Sequence, residues 1–384
     1  MGKAKDNLFR NEFLDYLNKN HMGSYALYDE KESQYSTFEK ELIGNVTHMA
    51  EELIQKMSEG RGISPEIHLF CVKNELVNAF CFVTSKRYYI GIHSATYIEL
   101  IRRTQILADY LIQNEELEYY RGKEATDVQA LLWTYAFKMI LSHEYMHIIL
   151  GHCDVICSEK AFLWENNVAE DFSLYEQLNL TDLKAVELLA DEFAAMDTAW
   201  QVLSRTETID EIKYELLNYY LAVMLVFSIF HNYGAAEETH PKLGIRLHSI
   251  ISTVDDTIVK GLEVPYPQME IEKIDTVIDV FMEIIQQFPR LLFYDIITEL
   301  GVEDFDRQYL KLYNAAADLV KWTNRKAIYP INEFEKMNES ILEVLDMERD
   351  VLWNAQKNGL SYEDACDLIE KIKQQDESGE KYTK

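Results

Sequence analysis

His143-Glu144-Tyr145-Met146-His147 forms an H-E-x-x-H run. On an α-helix, four residues turn through about 400°, so the two imidazoles share one face, one turn apart, and can reach a single ion. Glu144 leans over the same spot, where it can take a proton from a metal-bound water. Further along, Glu187-Leu-Leu-Ala-Asp191 repeats the four-residue spacing with carboxylates. On a second helix this would supply a third metal ligand in Glu187. Asp191 would accept the outer N–H of a ligand histidine and fix its tautomer. Ala190, Ala194 and Ala195 beside these carboxylates point to close helix packing and a buried acidic face. Downstream lies Thr239-His240-Pro241, followed by Arg246. Pro241 suits the first turn of a helix, which puts His240 just outside it. His240 and Arg246 can then aim two donors at one oxyanion. His152-Cys153-x-x-x-Cys157 lacks a fourth soft ligand and reads as ordinary buried thiols beside a histidine.

The elements that must hold these residues are mainly helical. Leu131 to Leu141 is a run of strong helix formers, so the H-E-x-x-H motif falls inside a long, buried helix. A further helix is expected to begin near Thr181-Asp182 after an irregular stretch at 158–180. Residues 1–60 read as a polar, helical region that Gly60-Arg-Gly-Ile-Ser-Pro65 breaks. The period then shortens. Ile67–Val72, Val77–Val83 and Arg87–Ile92 are β-branched and aromatic runs, read as a small antiparallel sheet, and Tyr97–Glu118 returns to helix. Leu216 to Phe230 is an apolar run of 15 residues, shorter than the roughly 20 that span a bilayer, and reads as a central buried helix. Val264-Pro-Tyr-Pro267 reads as a linker. The expected organisation is an N-terminal helical region at 1–60, the chemical domain at 61–262, a C-terminal helical region at 268–374 that includes Ile274 to Ile285, and a polar tail at 375–384.

The chain has 384 residues and a net charge of −29, which argues against a phosphate-backbone partner and against anionic membrane surfaces. Five scattered cysteines (Cys71, Cys81, Cys153, Cys157 and Cys366) make no disulfide framework and fit a reducing compartment. Met1-Gly-Lys-Ala-Lys-Asp precedes no apolar run, so a cytoplasmic location without a signal peptide is expected.

The order Asn78-Ala79-Phe80, His143-Glu-x-x-His147-x-x-x-x-His152, Glu187-x-x-Ala-Asp191, Thr239-His240-Pro241 with Arg246 resembles the HtpX-like and CAAX-prenyl-protease-like zinc metallopeptidases, a gluzincin group. Lit-type phage-exclusion peptidases are a related possibility. The resemblance covers roughly residues 65–250. It implies a zincin-like α+β fold, mainly α, that binds one Zn2+ per chain. His143, His147 and Glu187 match the zinc ligands and Glu144 the general base. His240 matches the helper of the oxyanion and Arg246 a supporting residue nearby. Asn78, Ala79 and Phe80 match an edge strand that pairs with the substrate backbone. The membrane families also carry transmembrane helices, and Met146 stands where they often have Gly, so their membrane-bound substrates are not carried over. The expected activity is hydrolysis of peptide bonds in a protein or peptide substrate, with the C-terminal helices choosing it. Two rivals are an inactive or regulatory protein-binding module on the same fold, which has no chemical need for Glu144, and a helical adaptor in which the motif is accidental.

Overall fold

The computed structural model describes residues 2–20, 25–31, 33–84, 87–114, 117–156, 179–206, 209–232, 240–263 and 305–339. The expected linker at 264–267, the helix at Ile274 and the tail at 375–384 lie outside these residues, as does the irregular stretch up to 178.

Helices α1 (Gly2–Asn20) and α2 (Thr37–Glu59) come first. Ser36 caps α2 in a capping box with Glu39, which satisfies two otherwise orphaned N–H groups. Strands β1 (Ile67–Val72), β2 (Ala79–Thr84) and β3 (Arg87–His93) follow. Their order is β1-β3-β2, with β2 antiparallel to β3 and β1 parallel to it. The sheet is therefore mixed, and the expected fully antiparallel arrangement is corrected. The physical reason is the connection at 73–78, which carries the chain past the place of one strand. β3 then folds back from β2 into the gap and runs alongside β1. The fold class is α+β, mainly α, as expected.

Period-two alternation sends the side chains of β2 to two different cores. Phe80 and Phe82 join Phe9, Phe13 and Leu17 of α1. Ala79 and Cys81 face the main core, which holds the helix that carries the H-E-x-x-H run. Gly91 is paired with Phe80, and a Cβ there would run into that buried ring, so glycine is the residue that fits beneath it.

Next come α3 (Ser94–Gln113), α4 (Ala125–Ile149), α5 (His152–Ile156), α6 (Leu180–Leu203), α7 (Ile209–Asn232), α8 (Leu243–Glu263) and α9 (Phe305–Thr323), with a further helix at 331–339. From Tyr135 onward α4 is buried on nearly every face, because α3, α6, α7 and β2 all pack against it. The apolar run read from the sequence is the middle of α7. Asp210–Phe230 is long and apolar enough to cross a membrane, but 78% of its apolar window is buried inside the fold, which makes it a core helix. Asn179 caps α6 through the N–H groups of Thr181 and Asp182, so this helix begins a residue before the expected Thr181. On its outer side, Ala185, Val186 and Leu189 of α6 pack against Ala316 and Leu319 of α9. The described part of the C-terminal region is thus built onto the helix that carries Glu187.

Candidate metal centre and active site

Two helices cross with their functional faces inward. α4 presents His143 and His147, and α6 presents Glu187 and Asp191, each pair four residues apart. The small residues Ala190, Ala194 and Ala195 are fully buried and let α6 approach closely. At the crossing, His143 Nε2 and His147 Nε2 stand 3.0 Å apart. Glu187 Oε2 is 3.3 Å from His143 Nε2, and Oε1 is 3.2 Å from His147 Nε2. His240 Nε2 reaches within 3.1 Å of Glu187 Oε2 from the start of α8. One ligand atom each from His143, His147 and Glu187 lies within 4.8 Å of the others.

The two histidines are oriented from behind by unlike partners. His143 Nδ1 donates to Asp191 Oδ1 at 2.8 Å. Asp191 is wholly buried and receives Arg246 Nε at 2.6 Å and Nη2 at 2.9 Å. His147 Nδ1 lies 3.0 Å from His152 Nδ1, and both rings are buried. His152 arrives there because Gly151, at φ +77°, ends α4 in a left-handed turn and starts α5.

Electrostatics follow from this packing. Burial alone would push His143 down, but Asp191 and Glu187 outweigh it and raise it to about 10. Burial would push Glu187 up; His240, His147 and His143 instead hold it well below the usual carboxylate range. Asp191 is likewise held down against burial, by Arg246 and His143. Burial raises Glu144, with the two ligand-type imidazoles opposing. Burial and the His147 ring keep His152 well below the usual histidine range.

The donor set fits zinc. With its Nδ1 proton held toward Asp191, His143 would offer a cation the lone pair of Nε2 once the second ring proton leaves, and that nitrogen faces a second imidazole nitrogen at 3.0 Å. Both Glu187 oxygens are buried, and although imidazole nitrogens stand at ion-pair distance, none is aligned to donate a hydrogen bond. Two nitrogens and a carboxylate converging in this way are matched to a cation that prefers tetrahedral N and O ligands.

A pocket opens over this cluster. Asn78, His143, Glu144, Glu187, His240 and Arg246 form its polar side. Met139 and Ile140 of α4, Val226, Phe227 and Phe230 of α7, and Val77 with Ala79 form an apolar wall. Among the described residues, Glu144 Oε2 is buried in this pocket without a hydrogen-bond partner, next to the Cys81 thiol.

The structure thus brings together His143, Glu144, His147, Glu187, Asp191, His240 and Arg246. It places Arg246 differently from the sequence reading, since two of its donors are spent on Asp191 beneath the ligands, while its guanidinium lies over Phe227. Asn78 and Ala79 line the pocket, whereas Phe80 faces the α1 core. His93 donates its backbone N–H to Asn78 O at 3.0 Å. By the alternation of an antiparallel ladder, Ala79 of the three then turns its N–H and C=O toward the edge of β2 opposite β3, where no described strand pairs. Sequence reasoning missed the pocket wall at Met139 and Ile140, although they stand one helical turn before His143, and it missed the contact between His147 and His152. Cys153 Sγ is 3.4 Å from Cys81 Sγ, a buried thiol pair.

A family model described as Peptidase U49 matches residues 93–258. That span holds the whole His–Glu cluster, His240 and Arg246, covers less than half of the chain, and leaves out Asn78 to Phe80. No curated protein and no solved structure matches. The match is to a peptidase family and does not single out the HtpX-like or CAAX-prenyl-protease-like groups. Residues 93–258 are therefore similar to peptidases, and the His143, His147 and Glu187 cluster at their centre is compatible with zinc.

Proposed function

We propose that the protein is a zinc-dependent endopeptidase of the Lit type. The observation that carries the reading is the convergence of His143, His147 and Glu187 beneath a pocket into which Glu144 projects. Zinc held by those three residues would supply Lewis acidity and an acidic water. The remaining work belongs to the chain itself. Glu144 accepts a proton from the water that attacks the scissile carbonyl carbon, then passes it to the departing amine nitrogen. His240, on the pocket side of Glu187, donates to the carbonyl oxygen as charge builds on it. The edge of β2 opposite β3, at Ala79, aligns the substrate backbone, and the wall of Met139, Ile140, Phe227 and Phe230 receives an apolar side chain beside the scissile bond. Arg246 acts through Asp191, holding the carboxylate that orients His143.

The test is proteomic mapping of new protein termini in cells expressing wild type or Glu144→Gln. Gln keeps the shape and removes the base, so cleavage should fall by roughly 10²–10⁴-fold while zinc content stays near one per chain. His240→Ala should keep zinc and lose roughly 10²–10³-fold. Unchanged cleavage by Glu144→Gln would overturn the mechanism.

A further inference from the structure

We propose that His152 is a positioning residue that fixes the tautomer and orientation of His147 by accepting its outer N–H. The inference rests on the zinc reading above and concerns a residue outside the ligand set. His147 Nε2 faces Glu187 and His143, so that nitrogen must be bare to bind an ion, and the ring's single proton then sits on Nδ1. A buried N–H needs an acceptor. The group in front of it is His152 Nδ1, at 3.0 Å. For that contact to be a hydrogen bond, His152 must carry its own proton on Nε2, which is buried without a hydrogen-bond partner among the described residues, so the arrangement satisfies the His147 N–H at the expense of the outer N–H of His152.

The placement is built rather than incidental. His152 is 1% exposed, so the contact is closed to bulk solvent. The turn that delivers it is locked, because a Cβ on Gly151 would lie 2.6 Å from Ala327 N and 2.9 Å from Thr323 O. Tyr329 N donates to Ile149 O at 2.9 Å and ties the same segment to the end of α4. The centre thus uses two kinds of support. His143 is held by a carboxylate that is itself clamped by a guanidinium, and His147 by a neutral ring set by the backbone that follows its own helix. A neutral acceptor leaves the imidazole of His147 less basic than a carboxylate would, and adds no further buried negative charge to the site.

The full-length protein is compared as wild type, His152→Leu and His152→Asn. The asparagine amide oxygen occupies nearly the place of Nδ1 and can accept, whereas leucine cannot. Zinc affinity is read by competition with a chromophoric chelator, using the metal alone. His152→Leu should weaken zinc by roughly 10–100-fold, and His152→Asn should return it to within a few-fold of wild type. Equal affinity in His152→Leu and wild type, or equal weakening in both variants, overturns the proposal. Nitrogen-15 spectra of histidine-labelled wild type give a second readout that needs no variant to fold. They should show a proton on His147 Nδ1 and a bare His152 Nδ1, and the opposite pattern overturns the proposal. Absence of stoichiometric zinc from wild type would fell the zinc reading alone, and the tautomer pattern in that metal-free protein would still decide the role of His152.

Discussion

Arg246 is where the structure departs furthest from the chemical role its sequence context suggests, and replacing it with methionine separates the two accounts. The guanidinium makes bonds of 2.6 and 2.9 Å to Asp191, with side-chain exposures of 11% and 0%. Arg246→Met keeps much of the aliphatic volume and leaves a buried carboxylate whose other partner is an imidazole. Removing one member of a buried pair costs about 3–5 kcal/mol, most of it the stranded charge. Asp191 would then hold His143 less firmly, and zinc affinity should fall by roughly 10–100-fold, as for loss of a group that orients a ligand. The assay is a double-mutant cycle of Arg246→Met and Asp191→Asn, read by denaturant unfolding and by chelator competition. The double variant should be more stable than the two single losses would predict when added, by about 0.5–3 kcal/mol. Arg246→Lys should recover only part of the affinity, because an ammonium keeps the charge and loses the fork. An Arg246→Met protein with unchanged stability and zinc affinity but a lowered turnover would refute this reasoning and return Arg246 to the oxyanion.

Lys138 on α4 is 7% exposed, donates to Gln201 at 2.6 Å, and is pushed by burial down to about 8, with Asp197 opposing. A base depressed in the folded state costs stability at every pH below its folded value. Lys138→Met should therefore stabilise the protein by about 1–2 kcal/mol near neutrality, after allowing for the orphaned Gln201, and the gain should fade between about pH 8 and the normal lysine range in melts run across pH. Gly151→Ala should lower the melting temperature and weaken zinc together, since it adds about 1–2 kcal/mol of left-handed strain to a clash with Ala327. Chelator treatment should lower the melting temperature, since zinc at a thousand times its Kd adds about 4 kcal/mol to the folded state. A melt indifferent to both chelator and added zinc would count against a bridge between α4 and α6.

What was legible in the sequence is what helical periodicity dictates. Four-residue spacing puts His143 with His147, and Glu187 with Asp191, on single faces whatever the surroundings. Small residues at 190, 194 and 195 announced that one of those faces is buried. Strand runs carry composition but not pairing, so the parallel partner of β1 was out of reach; it depends on where the connection at 73–78 delivers the chain. The place of Arg246 was hidden because its partner is 55 residues away and wholly buried. The contact of His152 with His147 depends on one positive backbone angle at Gly151, and the residues enforcing that angle lie at 323–329, far along the chain.

The charges around the crossing of α4 and α6 explain why so acidic a cluster can be buried. Glu144 and Glu187 line the pocket and Asp191 lies beneath it. Among the pocket-lining residues, Arg246 carries the one permanent positive charge, and it is committed to Asp191. With neutral imidazoles, the three carboxylates and one guanidinium leave two negative charges uncompensated in a site shielded from water. An imbalance of that size is costly unless it is neutralised or protonated. The metal-free chain meets part of the demand with a proton, which is why His143 is held so far above an ordinary histidine. In the proposed reading, a divalent cation would meet all of it at once, and would favour the ionised form of Glu144 that a base requires.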